Sequence, residues 1–215
     1  MNTVLTRPTL ALLIDCWHNQ SDPILDQTWH NIANYCCSNP YIQTVSVSSY
    51  TLNGFNYDLV KEEPWWSQSD ELFNQTTKWD YLRQDWHRFR FHTDQDAGVY
   101  TSPIIRDMKI RSDQVPLMIA NTVQLAYYCN YINPAIENIM IMGMAWDMCL
   151  QTRPVGWDEV SYACQYGLLG NVKNILTKQD CVLSSNCQRP EISSPWIPID
   201  NQHFYLDYSQ HNINI

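Results

Sequence analysis

Glycine is scarce in this chain, with 6 among 215 residues, and no glycine-rich phosphate-loop spacing occurs. A glycine cradle for nucleotide phosphates is therefore not expected. Charge is also sparse: 16% of residues carry it, and Asp and Glu (22) outnumber Lys and Arg (13) for a net charge of -9. Binding to a phosphate backbone needs clustered Lys and Arg, so no nucleic-acid partner is expected. The stretches Arg83 to Arg90 and Lys109 to Arg111 are basic only locally. No apolar run approaches the roughly 20 residues that cross a bilayer, so no membrane partner is expected. The 8 cysteines include no C-x-x-C pair, which argues against a structural zinc site.

Apolar and aromatic residues are abundant. Hydrophobic types make up 45% and aromatics 13%, including 9 Trp and 13 Tyr. That is too apolar for a disordered chain. A chain of this length buries a full core without disulfides and suits one domain with an extension. Near the start, the apolar run is interrupted by Asp15 and followed by no small-residue cleavage site. It reads as a strand rather than a leader, so the thiols are expected to stay reduced in a cytoplasmic protein.

Apolar runs predict buried strands at Thr9 to Ile14, Ile42 to Val47, Ile139 to Met142 and Val172 to Leu176, with Cys181 to Leu183 beyond the last. Helical patterns cover Asp26 to Cys37, Val115 to Tyr131, Asp147 to Gln151 and Trp157 to Leu169; Pro116 stands near the start of the second. Strands apolar on both faces that alternate with helices predict an α/β protein. Its form is a three-layer, open, mostly parallel sheet with helices on both faces. The domain is expected to span 1–183, with a Trp-rich excursion inserted at about 51–95. Residues 184–215, with Pro190, Pro195 and Pro198, read as a wrapping extension.

In open α/β sheets, functional groups gather at the carboxyl ends of the strands. Asp15 ends the first predicted strand, and Cys149 opens a helix shortly after the third. A thiol at a helix N-terminus is biased toward the thiolate. By itself a lone cysteine is ordinary packing, and a strand-end Asp can cap a helix or pair with a lysine.

Three segments together point further. LALLIDCWHN, IIRDMKIRSD and IENIMIMGMAWDMCLQT resemble, in order, the acid, lysine and nucleophile segments of the isochorismatase-like cysteine hydrolases. NILTKQDCVLSS resembles that family's following strand, with Asp180 in the place of its Asp. The resemblance spans about Thr9 to Ser185. It implies a catalytic triad of Asp15, Lys109 and Cys149: Asp15 accepts the thiol proton, Lys109 holds the ion pair, and Cys149 attacks a carbonyl carbon. It also implies a cis peptide between Met144 and Ala145, with the backbone N–H groups of Ala145 and Cys149 as an oxyanion hole.

Departures from the family narrow the chemistry. The Asp-x-His pair that opens a nicotinamidase metal cluster is missing from SVSSYTLNGFN, and His87 and His92 lie far along the insertion. No catalytic metal and no cofactor is therefore expected. Trp17 and Gln20 stand where the family commonly has Gln and an aromatic, and Trp146 stands where it has a smaller residue. Trp17 and Trp146 are the expected substrate-pocket walls. Trp65, Trp66, Trp79 and Trp86 are expected in the core or at a subunit interface of a homo-oligomer. DWHRFRFH, at 85–92, reads as a solvated helix face.

The expected activity is metal-independent cleavage of a C–N bond in a small amide, ureido or carbamoyl substrate through a covalent cysteine intermediate. The rival expectation is a non-catalytic binding or assembly protein on the same fold.

Overall fold

Strand β1 (Thr9–Ile14) is buried throughout and apolar after Thr9 because both of its faces are covered. Leu10, Leu12 and Ile14 enter one core, and Ala11 and Leu13 enter a second on the opposite face. The computed structural model describes residues 3–18, 22–48, 64–74, 100–119, 121–152 and 155–208.

Helix α1 (Pro23–Ser38) follows β1. It starts cleanly because the Asp22 side chain accepts from the Ile24 and Leu25 N–H groups and a proline opens the first turn. Its Leu25, Trp29, Ile32 and Cys36 face fills the second core. Strand β3 (Ile42–Ser48) then returns parallel to β1. Strand β6 (Asn138–Met144), buried along its whole length, pairs parallel on the other side of β1. Outside β6 lies β7 (Asn174–Lys178), again parallel. The short β8 (Val182–Leu183) pairs with the last two residues of β6. The first core receives α4 (Thr122–Tyr127) and α6 (Trp157–Gln165) through Val123, Leu125, Val160 and Ala163. The result is a mostly parallel mixed sheet covered on both faces, the architecture of an α/β protein.

Two regions differ in kind from the sequence expectation. The helix expected over Val115 to Tyr131 is a strand followed by a shorter helix. β5 (Val115–Leu117) pairs parallel with β3, and the chain turns before Asn121, whose side chain accepts from the Gln124 N–H as the cap of α4. Residues Tyr128–Ile132 continue α4 in wider π-helical turns. Pro116, compatible with a first helical turn, is equally compatible with an edge strand, and β5 is the edge. Within the C-terminal extension, β9 (Trp196–Pro198) and β10 (His203–Leu206) add to the sheet instead of only wrapping it. β10 is antiparallel to both β7 and β9.

A small second pairing joins β2 (Trp17–His18) to β4 (Tyr100–Thr101), just beyond the end of β1, and the short α3 (Pro103–Arg106) follows β4. Of the excursion expected at about 51–95, only 64–74 lie among the described residues. There α2 (Trp66–Asn74) brings buried Trp65 and Trp66 into the first core. Gln20, Trp79, Trp86, His87, His92 and the 85–92 segment lie outside the described residues. No described helix is long and apolar enough to cross a membrane.

Candidate active site

Asp15 follows the last residue of β1 and is 1% exposed. Its backbone is left-handed, with φ 49°. Its neighbour Cys16 is buried. Burial first, then the Asp15 charge, then Cys36 push the Cys16 thiol up, so it stays protonated.

Across the strand boundary, Ile14 is in register with Gly143 of β6. Gly143 has φ 125°, and a Cβ there would lie 1.9 Å from the Ile14 carbonyl oxygen. Only glycine lets the two central strands meet this closely. After Met144, the last residue of β6, the chain leaves the sheet at the level of Asp15 and runs through Ala145 to Cys149. The Met144–Ala145 peptide bond is cis, at the bond where the family resemblance implies one.

The turn after that bond is tightly hydrogen-bonded. The Ala145 carbonyl accepts from the Met148 N–H at 3.0 Å and from the Leu150 N–H at 2.9 Å. The Trp146 N–H donates to the Leu183 carbonyl of β8 at 2.7 Å. The Asp147 carboxylate accepts from both the backbone N–H and the hydroxyl of Ser185, each at 2.7 Å. Burial alone would raise the Asp147 carboxyl, but the Ser185 hydroxyl and N–H, with its own backbone, hold it below the usual carboxylate range. Cys149 is half-buried and is the first residue of α5 (Cys149–Thr152). Asp15 and the turn that carries Ala145 and Cys149 thus each follow the carboxyl end of one of the two central strands.

Lys109 is not at that end. It is exposed, and its carbonyl accepts from the Cys37 thiol at 3.0 Å. Cys37 is in the last turn of α1, and α1 runs back between parallel strands, so this turn lies at their amino ends. Arg111 confirms the location by donating to the carbonyls of Asn39 at 2.6 Å and Ile42 at 3.0 Å. With 6 residues, β1 separates this end from Asp15 by about 17 Å, more than a lysine stem spans. The physical reason is the strand that the sequence reading took for a helix. Lys109 comes before β5, so it lies where that strand begins. The carboxyl side of β5 carries buried Leu117, Met118 and Ile119.

Trp146 packs in an aromatic trio. Its ring centroid lies 4.3 Å from that of Trp157 and 5.1 Å from that of Trp196. Trp196 comes from β9, so the C-terminal segment supports the side chain next to Ala145. For Trp17 the description reaches only the backbone, in β2. Asp180 pairs with Lys178 and accepts from the Cys181 thiol at 3.4 Å. Burial raises its carboxyl, but Lys178, the Cys181 bond and Arg189 together hold it low.

All 8 cysteines are free thiols. Burial dominates the upward push on Cys36, Cys129 and Cys181 and takes Cys164 up to about 12. Among the described residues, no group of three His, Cys, Asp or Glu side chains could hold a metal ion.

The sequence reading missed the clamp of Asp147 and Ser185, though Asp147 stands two residues before the candidate nucleophile. It also missed the packing role of Gly143, although a glycine closing an apolar strand is a signal of close backbone approach. No family model, curated protein or solved structure matches this chain.

Proposed function

We propose that this protein is a cysteine hydrolase of the isochorismatase-like type, acting on a small amide, ureido or carbamoyl compound with Asp15 and Cys149. The observation that carries the reading is the register of Ile14 with Gly143, which sets buried Asp15 beside the turn that ends in Cys149. Asp15 takes the thiol proton, and the Cys149 sulfur bonds to the carbonyl carbon. The C–N bond then breaks as the proton passes to the leaving nitrogen. Water, losing its proton to Asp15, splits the thioester and restores the thiol. The N–H groups of Ala145 and Cys149 bracket the turn and serve as the oxyanion donors. Trp146, backed by Trp157 and Trp196, forms one wall of the pocket. The strand order β5-β3-β1-β6-β7, mostly parallel, supports the fold assignment.

One observation favours the rival reading, a non-catalytic binding protein. Lys109 is exposed at the far end of the sheet, and apolar residues follow β5.

The two readings separate in one assay. Small amides, ureides and carbamoyl compounds are incubated with the protein, and released ammonia or amine is measured beside intact-protein mass. Turnover with a Cys149-linked acyl adduct, both lost in Cys149→Ala, supports the hydrolase. A Cys149 that takes up neither substrate nor an activated ester at neutral pH overturns it.

A further inference from the structure

We propose that Asp147 is a positioning residue, which with Ser185 holds the 144–149 turn in the shape needed to receive an oxyanion. The proposal rests on the hydrolase reading above.

The turn leaves the end of β6, where β8 is paired with Gly143 and Met144. Three hydrogen bonds tie the turn to the end of β8 and the residues just after it. The Trp146 N–H reaches the Leu183 carbonyl, and the two oxygens of Asp147 take the Ser185 N–H and hydroxyl separately. Both sides of this tie are themselves braced. On one side, Ala145 holds Met148 and Leu150. On the other, the Ser184 N–H donates to the Gln188 carbonyl at 2.9 Å, and the Arg189 guanidinium donates to the Val182 carbonyl at 3.0 Å. Asp147 lies between Ala145 and Cys149, the two candidate oxyanion donors. A two-oxygen grip on Ser185 restrains the middle of the turn, and so the relative aim of both N–H groups. Asp147 itself is exposed and contacts neither Asp15 nor Cys149 in any bond described above. Its influence on the reaction is through the backbone.

That role predicts a split between two reactions of the same sulfur. Attack on p-nitrophenyl acetate forms an S–C bond and drives the carbonyl π pair onto oxygen. Collapse then expels p-nitrophenolate, leaving an S-acetyl cysteine, and the thiol proton goes to Asp15. Alkylation by iodoacetamide forms an S–C bond with loss of iodide and develops no carbonyl oxyanion at the attacked carbon. A loosened turn therefore slows the first reaction and spares the second.

The experiment measures both rates at Cys149 by peptide mass spectrometry at pH 7 in the full chain. In Asp147→Ala, acetylation is expected to slow by about tenfold or more while alkylation stays within about twofold. Asp147→Asn, which keeps one acceptor oxygen for Ser185, is expected to recover most of the loss, and Ser185→Ala to fall between. Unchanged acetylation in Asp147→Ala overturns the positioning role while leaving the hydrolase reading intact. An equal fall in both rates also overturns it, since that marks general loosening of the site. A wild-type Cys149 that neither acetylates nor alkylates ahead of Cys37 and Cys187 removes the hydrolase reading itself.

Discussion

Replacing Gly143 by alanine tests the close approach of the two central strands. The added methyl would lie 1.9 Å from the Ile14 carbonyl oxygen, in a range real Cβ atoms essentially never enter. The obstacle is backbone in a central strand, so no side-chain rotation relieves it. β1 and β6 must separate by about 1 Å, an overpacking cost of roughly 1–3 kcal/mol. The backbone at φ 125° adds a conformational cost of about 1–3 kcal/mol for any residue with a Cβ. A total near 4 kcal/mol corresponds to a fall in Tm of about 8–16 °C for a domain of this size. Gly167→Ala is the internal control. Its φ is 66° but nothing lies within 4 Å of the added carbon, so only backbone strain of roughly 1–2 kcal/mol applies. Thermal and urea unfolding followed by circular dichroism compare the two variants at pH 7. If Gly143→Ala loses no more stability than Gly167→Ala, the close contact of Ile14 with Gly143 is wrong, and with it the placement of the 144–149 turn beside Asp15.

Lys109→Met is expected to change stability by no more than about 0.5 kcal/mol and to leave Cys149 acetylation at the wild-type rate, because Lys109 is exposed at the amino ends of the strands. A large loss of acetylation in that variant would return the lysine to the site. Substoichiometric iodoacetamide at pH 7 should label Cys149 before Cys36, Cys129, Cys164 and Cys181, all held protonated chiefly by burial; peptide mapping gives the order. Gln114→Leu should destabilise by roughly 2–3 kcal/mol in urea titration. It leaves the Cys36 and Ile42 carbonyls, which the buried Gln114 amide now serves at 2.8 Å each, without that donor. The Asp180 carboxyl is held below its usual value, so the unfolded chain binds more protons in the interval between the two. The stabilisation is thus complete above about pH 4 and is lost as pH falls through the folded value. Asp180→Asn should narrow its deficit from wild type as unfolding is measured from pH 5 down to pH 2, and a constant deficit would refute the assignment.

The legible parts of the fold are those whose burial leaves a local imprint. Thr9 to Ile14 was readable as a strand because coverage on both faces demands an unbroken apolar run. The helix expected over Asp26 to Cys37 is present as α1, although its cap at Asp22 and first residue Pro23 were not read as its start. Asp15 and Cys149 became candidates through the resemblance of their segments to a known family, since a strand-end Asp and a lone thiol are by themselves ordinary. Other parts depended on partners distant in sequence. Val115 to Leu117 carries no local mark distinguishing an edge strand from a first helical turn; its pairing with Thr44, Val45 and Ser46 decides the matter. That one decision also places Lys109, because a residue before a parallel strand lies at the opposite end of the sheet from a residue after it. β9, the edge strand, and β10, which links it to β7, were missed because short, only partly buried strands need neither length nor strong apolarity. The grip of Asp147 on Ser185 exists only because β8 pairs with the end of β6. Composition and local pattern thus determined the α/β class and the central strands, and the three expected site residues came from the order of three segments along the chain. The position of Lys109 was decided by tertiary structure, since which end of a sheet a side chain reaches depends on backbone pairing between segments far apart in the chain.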